Sequence, residues 1–218
     1  MKIALIGTGK TGGEVLTLIE NDKSENNLEL VGPFNSRNVP TKANLKLAEA
    51  IIVFTAAEPT EQLIPLLLEL KVPVVLGSTG VKWPNDLNEK LIKQNQTWIY
   101  SSNFSLGMNV VRNMIKTMNL WSKILSNPKF SIHEIHHTKK LDAPSGTALS
   151  WKSWLPQNHN CEITHAREGD VKGYHKLTIE TDNETITLDH NVKNRRIFAE
   201  GALFAAIQVG QVKKAIFK

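Results

Sequence analysis

Lys2-Ile3-Ala4-Leu5-Ile6-Gly7-Thr8-Gly9-Lys10-Thr11-Gly12 decides the architecture. Residues 2–6 form a short apolar run that stops at Gly7, the pattern of a strand buried on both faces of a parallel sheet. G-x-G-x-x-G follows at once, and Val15, Leu16 and Ile19 then mark the apolar stripe of a helix. A strand, three spaced glycines and a helix make up the dinucleotide fingerprint. The first glycine permits a tight turn, the second lets backbone approach a pyrophosphate, and the third allows close helix–strand packing. Gly7, Thr8, Gly9, Lys10, Thr11 and Gly12 are therefore the first candidate cofactor contacts.

Working outward, the same alternation continues. Strands are expected at Leu28–Val31, Ala50–Thr55, Val72–Leu76 and Thr97–Tyr100, with helices at Thr60–Leu70 and Pro84–Gln94. Such a chain builds a Rossmann-type α/β domain, a doubly wound parallel sheet. Ligands there sit outside the carboxyl ends of the strands, where Gly7–Gly12, Thr55–Ala57, Gly77–Gly80 and Ser101–Phe104 all fall. In NAD-binding units a carboxylate after the second strand holds the ribose hydroxyls. Here Asn35-Ser36-Arg37 stands in that place, with no carboxylate from Gly32 to Asn44. Asn35, Ser36 and Arg37 can bind a 2′-phosphate, so NADPH is expected to serve at least as well as NADH. The other reading of Arg37 is an exposed loop residue.

The second half of the chain is organised around Glu134-Ile135-His136-His137-Thr138-Lys139-Lys140-Leu141-Asp142-Ala143-Pro144-Ser145-Gly146-Thr147-Ala148. Phe130–Ile135 alternates like a half-buried strand. Pro144 breaks it, and Ser145 or Thr147 can cap a following helix. Imidazoles and ammonium groups would thus meet a helix N-terminus, which favours an anion. The alternative is a solvated His/Lys turn. A long helix before the block is expected to bury Leu106, Val110, Met114, Met118 and Trp121. After the block, runs at Glu162–Ala166, Tyr174–Thr181 and Glu184–His190 suggest a second sheet, antiparallel or mixed. A terminal helix to about Ile216 would pack back on the first domain.

The central block resembles the Glu-x-His-His-x-x-Lys-x-Asp-Ala-Pro-Ser-Gly-Thr-Ala segment of the 4-hydroxy-tetrahydrodipicolinate (dihydrodipicolinate) reductase family. The resemblance extends to Gly7–Gly12, Gly77-Ser78-Thr79-Gly80, Asn103-Phe104-Ser105, Arg167–His175 and Arg195–Ala202. It implies reduction of 4-hydroxy-tetrahydrodipicolinate to tetrahydrodipicolinate by NADPH or NADH, on the diaminopimelate route to lysine. It also implies cofactor contacts at Gly7–Gly12, at Gly77, Ser78 and Thr79, and at Ser101, Ser102, Asn103 and Phe104. His136 becomes the proton donor or acceptor, Lys140 a proton donor, and His137, Gly146 and Thr147 substrate contacts. Residues 1–103, completed by a helix over 197–218, would bind the dinucleotide. Residues 104–196 would form a smaller α+β domain for substrate and for oligomerisation, in a homotetramer. Two departures stand out. Asn35 replaces an acidic residue, and the segment between Leu155 and Tyr174 is shorter than in many relatives.

Composition is that of an ordinary soluble globular protein, with 41% hydrophobic and 22% charged residues in a chain of 218. The net charge of +5 is scattered, which suits an anionic cofactor and a dicarboxylate but offers no basic tail or face for nucleic acid. One cysteine, Cys161, excludes an internal disulfide and a cysteine metal cluster, and a reducing cytoplasm is expected. The implied reaction needs no metal, and no ligand cluster besides the histidines suggests one. No run reaches the roughly 20 apolar residues that span a bilayer, and the N-terminal run is too short for a signal peptide. Two other readings remain open at this point: a nicotinamide-dependent reductase of another imino or keto acid, and a non-catalytic dinucleotide sensor.

Overall fold

The computed structural model describes residues 1–22, 27–140, 142–156 and 160–209. It separates into two compact units. One is Met1–Ser105 joined by the segment that begins at Arg196, and the other is Leu106–Arg195.

In the first unit, five strands form a parallel sheet in the order β2-β1-β3-β4-β5. They are β1 (Lys2–Ile6), β2 (Glu29–Phe34), β3 (Ala50–Val53), β4 (Val74–Leu76) and β5 (Trp98–Tyr100). Side chains alternate across the sheet, so each strand feeds two cores. Ala4, Ile6, Ile51, Val53, Val74 and Leu76 face one side, under α2 (Lys42–Leu45), α3 (Ala57–Leu68) and α4 (Leu87–Lys93). Ile3, Leu5, Ala50, Ile52 and Val75 face the other, with Val15 and Ile19 of α1 (Lys10–Glu20) and Ala199, Ala202 and Ala206 of α7 (Arg196–Gln208). The terminal helix thus completes the first unit. Its expected extension to Ile216 lies outside the described residues.

Several boundaries differ from the sequence reading. β2 runs on to Phe34 because Gly32 and Pro33 form a bulge, after which Phe34 pairs with Ile6. β2 is an edge strand, where a missing N–H is tolerated. α3 begins three residues early, since Pro59 sits in its first turn, where proline costs no hydrogen bond. Helix α2 was not anticipated. It is one short turn held by Thr41, whose hydroxyl accepts from the Asn44 N–H while the Asn44 side chain accepts from the Thr41 N–H.

In the second unit, β6 (Lys129–His136), β7 (Cys161–Arg167), β8 (Tyr174–Glu180) and β9 (Thr185–Asn191) form a mixed sheet in the order β7-β6-β8-β9. β6 and β7 are parallel, and the other pairs are antiparallel. Helices α5 (Leu106–Trp121) and α6 (Gly146–Trp154) cover one face, where Met108, Val111, Ile115, Phe130, Ile132, Trp151, Leu177 and Ile179 form the core. The expected stripe on α5 is corrected. Leu106, Val110, Met114 and Trp121 are exposed, and only Met118 packs against the core. Met108, Val111 and Ile115 also recur at helical spacing, and that stripe is the one that meets the sheet.

Candidate functional site

At the carboxyl edge of the first sheet, Gly7 turns the chain with φ +99°, a conformation that favours glycine. A Cβ there would stand 2.1 Å from the Phe54 carbonyl oxygen. A Cβ on Gly12 would stand 2.0 Å from the Gly7 carbonyl oxygen, so α1 can lie against the turn only without a side chain. Gly9, by contrast, faces open space and opens α1 as its N-terminal cap with no side chain bonded to the helix. Backbone N–H groups of the first helical turn are therefore presented where an anion can approach. The residues present fit a dinucleotide pyrophosphate.

The neighbouring loops frame this edge. Ser78 is buried, and its hydroxyl accepts from the Thr55 N–H at 3.2 Å and from Thr60 at 2.7 Å, so it braces β3 against β4. Ser101 donates to the Asn103 carbonyl, and the Asn103 side chain accepts from Ser105, which closes that turn. Phe104 is buried and stacks edge-on against Phe54. Asn35 accepts from the N–H groups of Arg37 and Asn38 and shapes the loop that carries exposed Ser36 and Arg37.

In the second unit, β6 alternates with period two, so Phe130, Ile132, Glu134 and His136 are all buried on one face. Glu134 is fully buried. One of its oxygens, Oε1, accepts the Ser145 N–H at 3.0 Å and lies 3.6 Å from the Arg167 guanidinium. The other, Oε2, lies 3.5 Å from His175 Nε2 and 3.7 Å from His136 Nδ1. Burial pushes this carboxyl up, but the neighbouring His175 ring, the Ser145 donors and the charge of His136 outweigh it and hold the group at about 2. His136 is pulled down to about 4, first by burial and then by the charge of His175, against the opposing pull of Glu134. Its ring is neutral at neutral pH.

Past His136 the chain leaves the sheet through His137 and a turn in which Lys140 N–H donates to the His137 carbonyl. Lys140 Nζ grips both oxygens of Asp142 at 2.7 and 2.8 Å. Arg167 donates to the carbonyls of Lys140 and Asp142, which fixes the backbone of this loop. Ser145 caps α6 by accepting from the Ala148 N–H at 3.2 Å, so Gly146 and Thr147 form its first turn.

Residues 1–104 match the family described as dihydrodipicolinate reductase, N-terminus, and residues 107–218 match dihydrodipicolinate reductase, C-terminus. The chain belongs to the dihydrodipicolinate reductase family. It is 32% identical to the 4-hydroxy-tetrahydrodipicolinate reductase of Bdellovibrio bacteriovorus, over all of this chain and 94% of that one. It is 33% identical to the enzyme of the same name from Rickettsia bellii, over 95% and 88% of the two chains. The fold is shared with a dipicolinate-bound dihydrodipicolinate reductase from Paenisporosarcina, at a TM-score of 0.73 and 21% identity, covering 99% of this chain and 97% of that one.

As a dihydrodipicolinate reductase, the protein is a nicotinamide-dependent oxidoreductase with a Rossmann-type sheet. Within the second unit of this reductase, His136, His137, Lys140, Gly146 and Thr147 lie on the end of β6, its loop and the start of α6. Sequence reasoning passed over Glu134, Arg167 and His175 as site residues. A signal was present, since Glu134 occupies an inward position in the alternation of β6, where a carboxylate demands partners. Glu134, His136 and His175 also bring one potential metal-ligand atom each within 4.8 Å of one another. However, Ser145 and Arg167 already engage the carboxylate, and Lys140 and Arg167 add positive charge beside His136.

Proposed function

We propose that the protein reduces 4-hydroxy-tetrahydrodipicolinate to tetrahydrodipicolinate, with loss of water, at the expense of NADPH or NADH in lysine and diaminopimelate biosynthesis. The observation that carries this reading is the joining of His136, Lys140 and the first turn of α6 by one short loop. A cyclic dicarboxylate needs just such a set: donors for two carboxylates and a proton source beside them.

The bound nicotinamide would supply the hydride, and Gly7–Gly12 with the loops at Gly77–Thr79 and Ser101–Phe104 would hold its dinucleotide. Hydride arrival on carbon leaves an electron pair in the conjugated imine, which must take up one proton. Water leaves first, by loss of a proton from the ring carbon beside C4 and protonation of the departing 4-hydroxyl, so the elimination consumes no net proton. Lys140 and His136 serve these transfers. The arriving dianion favours the cationic imidazole and offers Lys140 a second anionic partner besides Asp142. His137, Gly146 and Thr147 bind the carboxylates. Asn35, Ser36 and Arg37 favour the 2′-phosphate of NADPH. The exposed apolar side chains on α5 support a homotetramer, since contiguous apolar surface favours burial between copies. No helix among the described residues is long and apolar enough to cross a membrane, which suits a cytoplasmic enzyme.

Loss of NADPH absorbance on addition of 4-hydroxy-tetrahydrodipicolinate tests this reading. Turnover with other imino or keto acids alone, or cofactor binding without any turnover, would replace it.

A further inference from the structure

We propose that Glu134 is a positioning residue for this reaction: its buried carboxylate holds His136 as the Nδ1–H tautomer, so that the lone pair is on Nε2, on the side where Gly173 presents no side chain. The proposal rests on the reductase reading and adds to it a residue that acts through His136.

His136 Nδ1 and Glu134 Oε2 are both sealed from solvent, both lack a hydrogen-bond partner among the described residues, and face one another at 3.7 Å. Buried polar atoms seldom stay unpaired, and catalytic hydrogen bonds are often long before the substrate arrives. A small closing movement would satisfy both atoms, and only with the proton on Nδ1. His175 Nε2 also approaches Glu134 Oε2, at 3.5 Å, but it has the Ser145 hydroxyl as a partner at 3.2 Å, which leaves Oε2 for His136. Oε1 cannot take this role, because the Ser145 N–H and Arg167 occupy it. The opposite ring nitrogen, Nε2, lies beside Gly173, where a Cβ would stand 3.4 Å from it. Gly173 has φ +154° and, lacking a Cβ, puts no side chain against Nε2.

The groups around the ring agree. Glu134 on β6 is the anion nearest it, while His175 from β8, Arg167 from the end of β7 and Lys140 from the loop all disfavour charge on it. Asp142 also acts on the ring from beyond Lys140. The same carboxylate binds the N-cap of α6, so a single group ties the imidazole to the turn proposed to hold the substrate.

Glu134→Gln provides a sharp test. The amide oxygen would stay on the Ser145 N–H and Arg167, which are donors. The amide NH2 would then point at His136 Nδ1 and demand a lone pair there, inverting the tautomer. Nitrogen NMR of the imidazoles in the full-length protein, with His136 assigned by its loss in His136→Ala, reads this directly. The expected result is Nδ1–H in the wild type and Nε2–H in Glu134→Gln. Turnover should fall by about 10²-fold or more, with the NADPH Michaelis constant within about twofold of wild type. In the His136→Ala background, Glu134→Gln should cost less than about twofold more, since both changes act on one group. A wild-type His136 carrying its proton on Nε2 overturns the proposal without recourse to any variant. An equal cost of Glu134→Gln in both backgrounds also overturns it. Failure of the reductase reading looks different, because turnover is then absent from the wild type while the tautomer inversion still stands.

Discussion

Glu134 Oε2 and His136 Nδ1 face each other 3.7 Å apart, on one side of one strand and out of reach of solvent. The two residues are two apart, so the pleat of β6 alone brings them together. What keeps the carboxylate ionised comes chiefly from elsewhere, from His175 on β8 and Ser145 at the start of α6, with Arg167 at the end of β7 3.6 Å away. A neutral imidazole beside a fixed anion can accept a proton and return it.

His136→Ala and Lys140→Ala should each lower turnover by roughly 10²-fold or more, the scale of a positioned proton donor. Both side chains sit at a strand end and its loop, so the fold should persist. Steady-state rates on the two purified variants check this, and unchanged turnover would remove the residue from the proton path.

Thr147→Val keeps the shape of the first turn of α6 and removes one hydroxyl. Binding of 2,6-pyridinedicarboxylate should weaken by about 1–3 kcal/mol, the cost of an unmatched acceptor. Titration calorimetry gives the value directly, and equal affinity would place the carboxylates elsewhere.

The same cluster makes the protein acid-sensitive. Glu134 is held at about 2 against an ordinary 4.5, so its stabilising contribution is complete above pH 4.5 and is lost as pH falls toward 2. His136 is held at about 4 against 6.5, so between those values the unfolded chain takes up a proton that the folded ring refuses. Both effects have one sign. The melting temperature should fall from about pH 6.5 downward, and His136→Ala should flatten the upper part of that fall, between 6.5 and 4. Thermal unfolding across pH measures it, and parallel curves for the two proteins would count against the buried neutral imidazole.

How far the sequence could be read depended on how local the cause was. Gly7–Gly12 was legible because the turn, the helix start and the close packing all belong to adjacent residues. The cap at Ser145 and the first turn of α6 were legible for the same reason. The buried face of α5 was not. Leu106, Val110, Met114, Met118 and Trp121 fit helical spacing as well as Met108, Val111 and Ile115 do, and only the opposing sheet chooses between them. The role of Glu134 was hidden because its partners arrive from β7, β8 and α6, and no periodicity in β6 announces them. The inward bracing by Ser78 was hidden for the same reason, since its hydroxyl meets Thr55 and Thr60 from other elements.

Cofactor choice depends on the loop after β2. Arg37 is exposed on a turn that Asn35 fixes, and a charge-assisted bond from it to a 2′-phosphate is worth about 1.5–3 kcal/mol. Arg37→Ala should raise the Michaelis constant for NADPH and leave that for NADH unchanged. Kinetics with each cofactor decide it, and a strong NADH preference in the wild type would exclude this role for the loop.

The most direct measurement is NADPH oxidation by the purified wild-type protein with 4-hydroxy-tetrahydrodipicolinate, run beside His136→Ala. The expected result is turnover that forms tetrahydrodipicolinate and falls by about 10²-fold or more in the variant, with the cofactor still bound. A wild type that binds NADPH but leaves it unoxidised in the presence of this substrate would contradict the assignment.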